Sequence, residues 1–231
     1  MRTEQLKVGS LEVEVRFKPI KNLHLSVHPP DGKVTISSPE FFDVEKIRVY
    51  LTTKLAWIKR EQRKIAGQER EAEKLFITHE SHQFLGKRYL LKVITAGRPK
   101  IILQHSTIEL YALPHASDLQ KQNTLYNWYK KELIKVLLKY LQHHARIMNV
   151  IVPEFSIRKM KTKWGSCTAD QQKLWFNIEL AKKPVECIEY IVVHELVHLL
   201  ERNHNKNFII LMDKYLPNWR LQKKILNDLP L

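Results

Sequence analysis

The sequence has few cysteines and glycines and no long apolar run. Two cysteines in 231 residues, Cys167 and Cys187, are too few for a disulfide framework, so a reducing cytoplasm is the expected location. No stretch approaches 18 uncharged apolar residues, which excludes a membrane-spanning helix. Residues 1–7 carry cations with no apolar run behind them, so no secretory leader is expected. The six glycines form neither a Walker A loop nor a dinucleotide-binding fingerprint. A composition that is 44% apolar and 27% charged excludes collagen-like, low-complexity and wholly disordered classes. No internal repeat is evident. At about 150 residues per domain, the length fits one or two domains.

Acid is the scarcer sign of charge. There are 39 Lys+Arg against 24 Asp+Glu, a formal charge of +15. Residues 114–183 carry 13 cations against 5 acids, whereas residues 184–231 carry six of each. Such an excess admits a polyanionic partner, whether nucleic acid bound by a basic surface, a nucleotide or an acidic surface; a solvated face is the ordinary alternative. Lys54, Lys59, Arg60, Arg63 and Lys64 form one such run on the first predicted helix.

What is present predicts an α+β chain. Residues 12–17 alternate strictly, as a half-buried strand does. Residues 23–28 and 33–37 flank Pro29-Pro30-Asp31-Gly32 and read as a hairpin. A helix is predicted from Asp43 to about Ala66, followed by a polar stretch to residue 73. Strands are predicted at 83–94, 100–103 and 107–111, then a long helix over 117–149 closed by Pro153. Short strands at 156–163 and 173–178 precede a helix opened by Pro184, and a terminal helix comes after Pro217. The expected division falls near residue 114. Residues 1–113 form a β-rich region with one long helix, and residues 114–231 a helical region with one small antiparallel sheet.

The chemistry concentrates in His194-Glu195-Leu196-Val197-His198, set in an apolar helix. Residues i and i+4 differ by about 40° of azimuth, so both imidazoles face one way at a spacing that one cation can bridge. Glu195 falls beside them, where a carboxylate can take a proton from a metal-activated water. Unpaired polar groups in such a helix are costly, and a metal removes that cost. His204 stands six residues after His198, and Asn203 tolerates the left-handed turn that would fold it back. Three protein ligands and an open position make a catalytic zinc site with Zn²⁺ as cofactor. The spacing equals that of the metzincins, but Glu201 stands where they have glycine and no Met-turn is evident downstream, so that membership is rejected.

A second signal is Lys163-Trp164-Gly165-Ser166-Cys167. By the two-residue period, Lys159, Lys161 and Lys163 fall on one face of the preceding strand, and Gly165 permits a sharp turn. Lys159, Lys161, Lys163 and Trp164 are thus candidate substrate-binding residues. Cys167 reads as a small buried residue, with a thiolate near the metal as the alternative. Lys163 and Tyr215 are the candidates for an oxyanion partner.

Trp164-Gly165-Ser166-Cys167, the strand around Trp175-Phe176-Asn177-Ile178, Pro184, the HExxH helix, Asn203-His204 and Phe208 together resemble the YgjP-like metallopeptidase family, predicted hydrolases related to SprT-type and gluzincin-like proteins. One departure is Lys163, where the family is expected to carry Arg before the tryptophan. The resemblance implies a zincin-like core, zinc held by His194, His198 and His204, and Glu195 as catalytic residue. It implies a peptide or protein substrate; a member associated with UTP pyrophosphatase activity keeps a nucleotide substrate open. A nucleic-acid-associated protein with a structural zinc is the third alternative. For a peptidase, substrate is expected to lie along the strand 174–178 as an added strand.

Overall fold

The computed structural model describes residues 2–28, 31–67, 74–152, 154–168 and 173–228. Pro29 and Pro30 of the expected turn, the polar residues 68–73, Pro153 and the Lys64 side chain lie outside the described set. The chain divides into two units, Met1–Arg70 and Glu71–Leu231.

In the first unit, four strands precede a helix: β1 (Thr3–Val8), β2 (Leu11–Lys18), β3 (His24–His28), β4 (Lys33–Pro39) and α1 (Val44–Gly67). The sheet order is β1-β2-β4-β3. Its outer pairs are antiparallel and its central pair, β2 with β4, is parallel. The alternation of β2 puts Val13, Val15 and Phe17 on the buried face, where they share a core with Ile47, Leu51 and Ile58 of α1.

The second unit begins with the same topology: β5 (Ser81–Phe84), β6 (Lys87–Thr95), β7 (Lys100–Leu103), β8 (Thr107–Ala112) and α2 (Asp118–Met148). The order is β5-β6-β8-β7, again with antiparallel outer pairs and a parallel central pair. The chain therefore does contain a repeat, of fold and not of residues. What recurs is alternation, turn position and a helix after the sheet, which many sequences satisfy.

The single strand expected at 83–94 is a hairpin. Leu85 and Gly86 turn it with φ of 47° and 78°, the two-residue geometry that matches strand twist. The turn is pinned from outside the hairpin, because Leu85 N–H donates to Ala181 C=O at 2.8 Å and Gly86 N–H to Lys182 C=O at 3.2 Å. A Cβ on Gly86 would lie 2.9 Å from Pro184 Cα, so this position requires glycine on two grounds. The long helix α2 forms where expected. Ser117 and Gln120 make a reciprocal capping box, and Asn149 ends the helix in the left-handed conformation.

The rest of the unit is β9 (Glu154–Arg158), β10 (Gly165–Thr168), β11 (Lys173–Asn177), a 3-10 turn (Ile178–Lys182), α3 (Val185–Val197), α4 (Lys206–Tyr215) and α5 (Trp219–Asp228). Its sheet order is β10-β11-β9, with β10 antiparallel and β9 parallel to β11. The small sheet is thus mixed, not wholly antiparallel, because β9 runs parallel to β11. The expected boundary near 114 falls inside this unit. Leu91, Ile108 and Leu110 of the four-stranded sheet share one core with Leu133 and Leu137 of α2 and with Ile188 and Val192 of α3, so residues 74–113 and the helices after them form one body. Among the described residues, no helix is long and apolar enough to cross a membrane.

Candidate metal centre and its cleft

Helix α3 is apolar on nearly every side and runs through the core, with Ile188, Val192, Val193, Leu196 and Val197 fully buried. Into that setting it carries His194, Glu195 and, at its C-terminal end, His198. The two imidazoles stand one turn apart with ring centroids 4.9 Å from each other. The chain then turns back. Asn203 is not left-handed, contrary to the sequence expectation. Side chains hold the return instead: the Glu201 carboxylate accepts Asn203 N–H at 3.1 Å, and Asn205 caps α4 by accepting Phe208 N–H at 3.1 Å. This brings the His204 ring within 5.0 Å of His194 and 4.7 Å of His198. Phe208, itself buried, packs edge or face against all three rings at 4.6–5.0 Å.

The donor set fits a cation. One ring nitrogen from each of the three histidines lies within 4.8 Å of the others. His194 Nε2 and His204 Nε2 are 3.1 Å apart, close to the roughly 3.4 Å between two nitrogens on a tetrahedral zinc. His198 Nδ1–H donates to the Glu201 carbonyl at 3.2 Å, which fixes the tautomer and leaves Nε2 its lone pair. Burial, reinforced by the neighbouring His198 and His204, pushes His194 down to about 3, so it is a neutral donor at physiological pH. Phe208→Ala removes the wall behind these rings. It is expected to cost about 3–5 kcal/mol of stability in denaturant unfolding and to weaken metal affinity at least tenfold in a chelator competition.

Glu195 is only 4% exposed. Burial raises its carboxyl to about 8, against an opposing pull from Lys163. A folded-state value above the unfolded one means that the native chain holds this proton more tightly. The stabilisation is full below the unfolded value near 4.5 and is lost as pH rises toward 8. The metal-free protein is therefore expected to melt at lower temperature at pH 8 than at pH 6.5, by up to about 1.4 kcal/mol per pH unit. Glu195→Gln should flatten that dependence in a thermal-shift series. The carboxyl occupies a slot opened by Gly165, where a Cβ would sit 2.5 Å from Glu195 Oε1.

An open cleft of about 520 Å³ lies over the histidines and Glu195. Of the candidate substrate-binding residues, Lys163 and Trp164 line it, while Lys159 and Lys161 do not. The strand expected over 156–163 stops at Arg158, so the three lysines share no strand face. The cause is Asn177. Its Nδ2 donates to Met160 and Lys163 carbonyls at 2.9 and 2.8 Å, and its Oδ1 accepts Met160 N–H at 3.3 Å, which folds residues 160–163 into a loop. Lys159 is turned toward the Tyr126 ring, 5.5 Å away. Tyr215 lies outside the cleft lining. Cys167 lines the cleft, but burial and the nearby Glu195 push its thiol up to about 11, so it stays protonated and outside the donor cluster.

Three contributors to the cleft escape a reading of the sequence. Gly165 reads as a turn former, but it sits in β10 and gives Glu195 room. Tyr190 lies one turn before His194 on the same stripe of α3; its ring packs edge-on to His194 at 5.8 Å and stacks on Trp219. The stripe that pairs the two histidines is the signal that could have revealed it. Helix α5 supplies Lys223, Leu226 and Asn227, and no local pattern announces that.

Three convergent imidazoles beside a buried carboxyl, open to a cleft, place the chain among the metal-dependent hydrolases. The YgjP-like metallopeptidase domain matches residues 21–229, and the chain belongs to that family. No curated protein matches it. Among solved structures, the metallopeptidase zymogen of Pyrococcus abyssi abylysin is 24% identical, with 38% of this chain and 87% of that chain covered and a TM-score of 0.35. The zymogen of Methanocaldococcus jannaschii jannalysin is 21% identical, with 38% and 93% covered and a TM-score of 0.34.

Proposed function

We propose that this protein is a zinc peptidase in which His194, His198 and His204 hold the metal and Glu195 is the general base. The observation that carries this reading is the convergence of three imidazole nitrogens, within 4.8 Å of one another, beside a buried carboxyl at the floor of an open cleft. Zinc, when bound, supplies Lewis acidity that polarises a carbonyl and makes water acidic enough to attack at neutral pH. Glu195 Oε accepts the proton of the attacking water and passes it to the leaving amine. The carboxyl's burial suits that task, since a metal's positive charge draws a raised carboxyl back toward its ionised form. Trp164, held through its C=O by Asn177 N–H at 2.9 Å, fixes the chain at the entry to β10.

Substrate cannot add to the strand 174–178, because β11 is central and its backbone is paired on both sides. The edge on offer is β10, the terminal strand of its sheet, which also lines the cleft. An extended peptide laid along β10 passes directly over Glu195. A nucleotide substrate is less favoured, since the three-lysine phosphate platform that it would use is not assembled.

Cleavage of a quenched-fluorescent peptide library by zinc-loaded protein tests the proposal. Hydrolysis that is lost on chelation, restored by zinc and absent from His198→Ala is the expected result. Hydrolysis that persists in His198→Ala after chelation would overturn it.

A further inference from the structure

The mouth of the cleft is cationic from three separate directions. Lys163 stands on the loop before β10, Arg202 on the return between α3 and α4, and Lys223 on α5. All three are exposed, and among the described residues none is in an ion pair. Among the described residues, the only carboxylate lining the cleft is Glu195, and it is buried. Some exposed lysines elsewhere on this chain do meet a carboxylate, as Lys92 does with Glu109 and Lys135 with Glu132. Lys223 also lies 5.7 Å from the Trp219 ring, but among the described residues no carboxylate pairs with any of the three, which leaves the opening a positive field.

We propose that the cleft selects peptide segments that carry acidic side chains flanking the scissile bond, with Lys163, Arg202 and Lys223 as specificity residues. This rests on the peptidase reading for the bond that is cut, but not for the charge that is bound. Carboxylate side chains fit better than phosphates. The cations come from three separate elements instead of one cradle, and Lys159 and Lys161, which would complete a phosphate patch, do not line the cleft. Trp164, half-buried on the same lining, offers apolar surface suited to a side chain of a bound peptide.

The test uses three peptides of equal length whose flanking positions are Glu, Gln or Lys. Binding is read by fluorescence anisotropy on zinc-loaded Glu195→Gln, and cleavage by kcat/KM on the zinc-loaded wild type. The acidic peptide is expected to lead the neutral one by about tenfold at low salt, and the lead should shrink severalfold at 0.5 M salt. Lys223→Glu and Arg202→Glu are each expected to lower the acidic-to-neutral ratio roughly two- to fivefold, with a larger fall when combined. Both positions are exposed, so the readout is the ratio within one variant and does not depend on its yield. A ratio near one in the wild type, or one unmoved by both reversals, overturns the proposal. So does equal displacement of the acidic peptide by a single-stranded oligonucleotide of the same charge, which would make phosphate the ligand. Graded binding without cleavage of any peptide supports the charge selection and sinks the peptidase reading instead.

Discussion

Replacing Glu195 by Gln is expected to lower peptide turnover by about three orders of magnitude while one zinc stays bound. The substitution keeps the side chain's volume and removes only its ability to accept a proton. Volume matters because the side chain is 4% exposed and fills the slot beside Gly165. The three imidazoles lie outside the change, so metal content should be that of the wild type. KM should move little, since the carboxyl lies at the floor and not among the cations at the mouth. Stopped-flow or steady-state hydrolysis of one good peptide, alongside zinc analysis of the same sample, reads both halves. Full activity in Glu195→Gln would remove Glu195 from the mechanism; loss of zinc along with activity would make it a ligand or a packing group.

The second large effect is expected from the smallest residue at the site. A Cβ on Gly165 would approach Glu195 Oε1, Cγ and Cδ to 2.5, 2.8 and 2.9 Å. Three atoms of one buried side chain cannot all be relieved by a terminal rotation, and its backbone is fixed in the interior of α3. Gly165 is not in the left-handed region, so alanine suits the backbone and the conflict is purely with Glu195. Gly165→Ala should therefore displace the carboxyl and cost about a hundredfold in kcat, with about 1–3 kcal/mol of stability lost to overpacking. Zinc should remain. Because both changes act on one group, Gly165→Ala should cost almost nothing further in a Glu195→Gln background, a non-additivity that separates this account from a general loosening of the fold. An additive double variant would contradict it.

These two residues differ in how far the sequence reveals them. Glu195 is legible because its partners are local: a helix sets the azimuth of residues one and four apart, whatever surrounds it. The same rule marks Tyr190 one turn earlier, although an aromatic in an apolar helix reads first as core. Gly165 is not legible in this way. Its reason for being glycine is a carboxyl 30 positions later, across a strand–helix contact that no periodicity encodes. The same holds for Gly86, which faces Pro184. Helix α2 is legible almost to its ends because Ser117, Gln120 and Asn149 are local stop and start signals. The lysine strand is not, because a distant side chain, Asn177, takes the backbone groups of Met160 and Lys163 away from any ladder. The repeated four-strand-and-helix topology escapes for another reason: alternation specifies which face is buried but not which strand is the neighbour.

The central claim is that three histidines, and no sulfur, hold one zinc. Zinc-edge X-ray absorption on the zinc-loaded protein tests it most directly. The account predicts one zinc per chain with three imidazole nitrogens at about 2.0–2.1 Å and an unchanged spectrum in Cys167→Ser. Sulfur scattering near 2.3 Å that disappears in Cys167→Ser, or a chain that binds no zinc with its histidines intact, would contradict it.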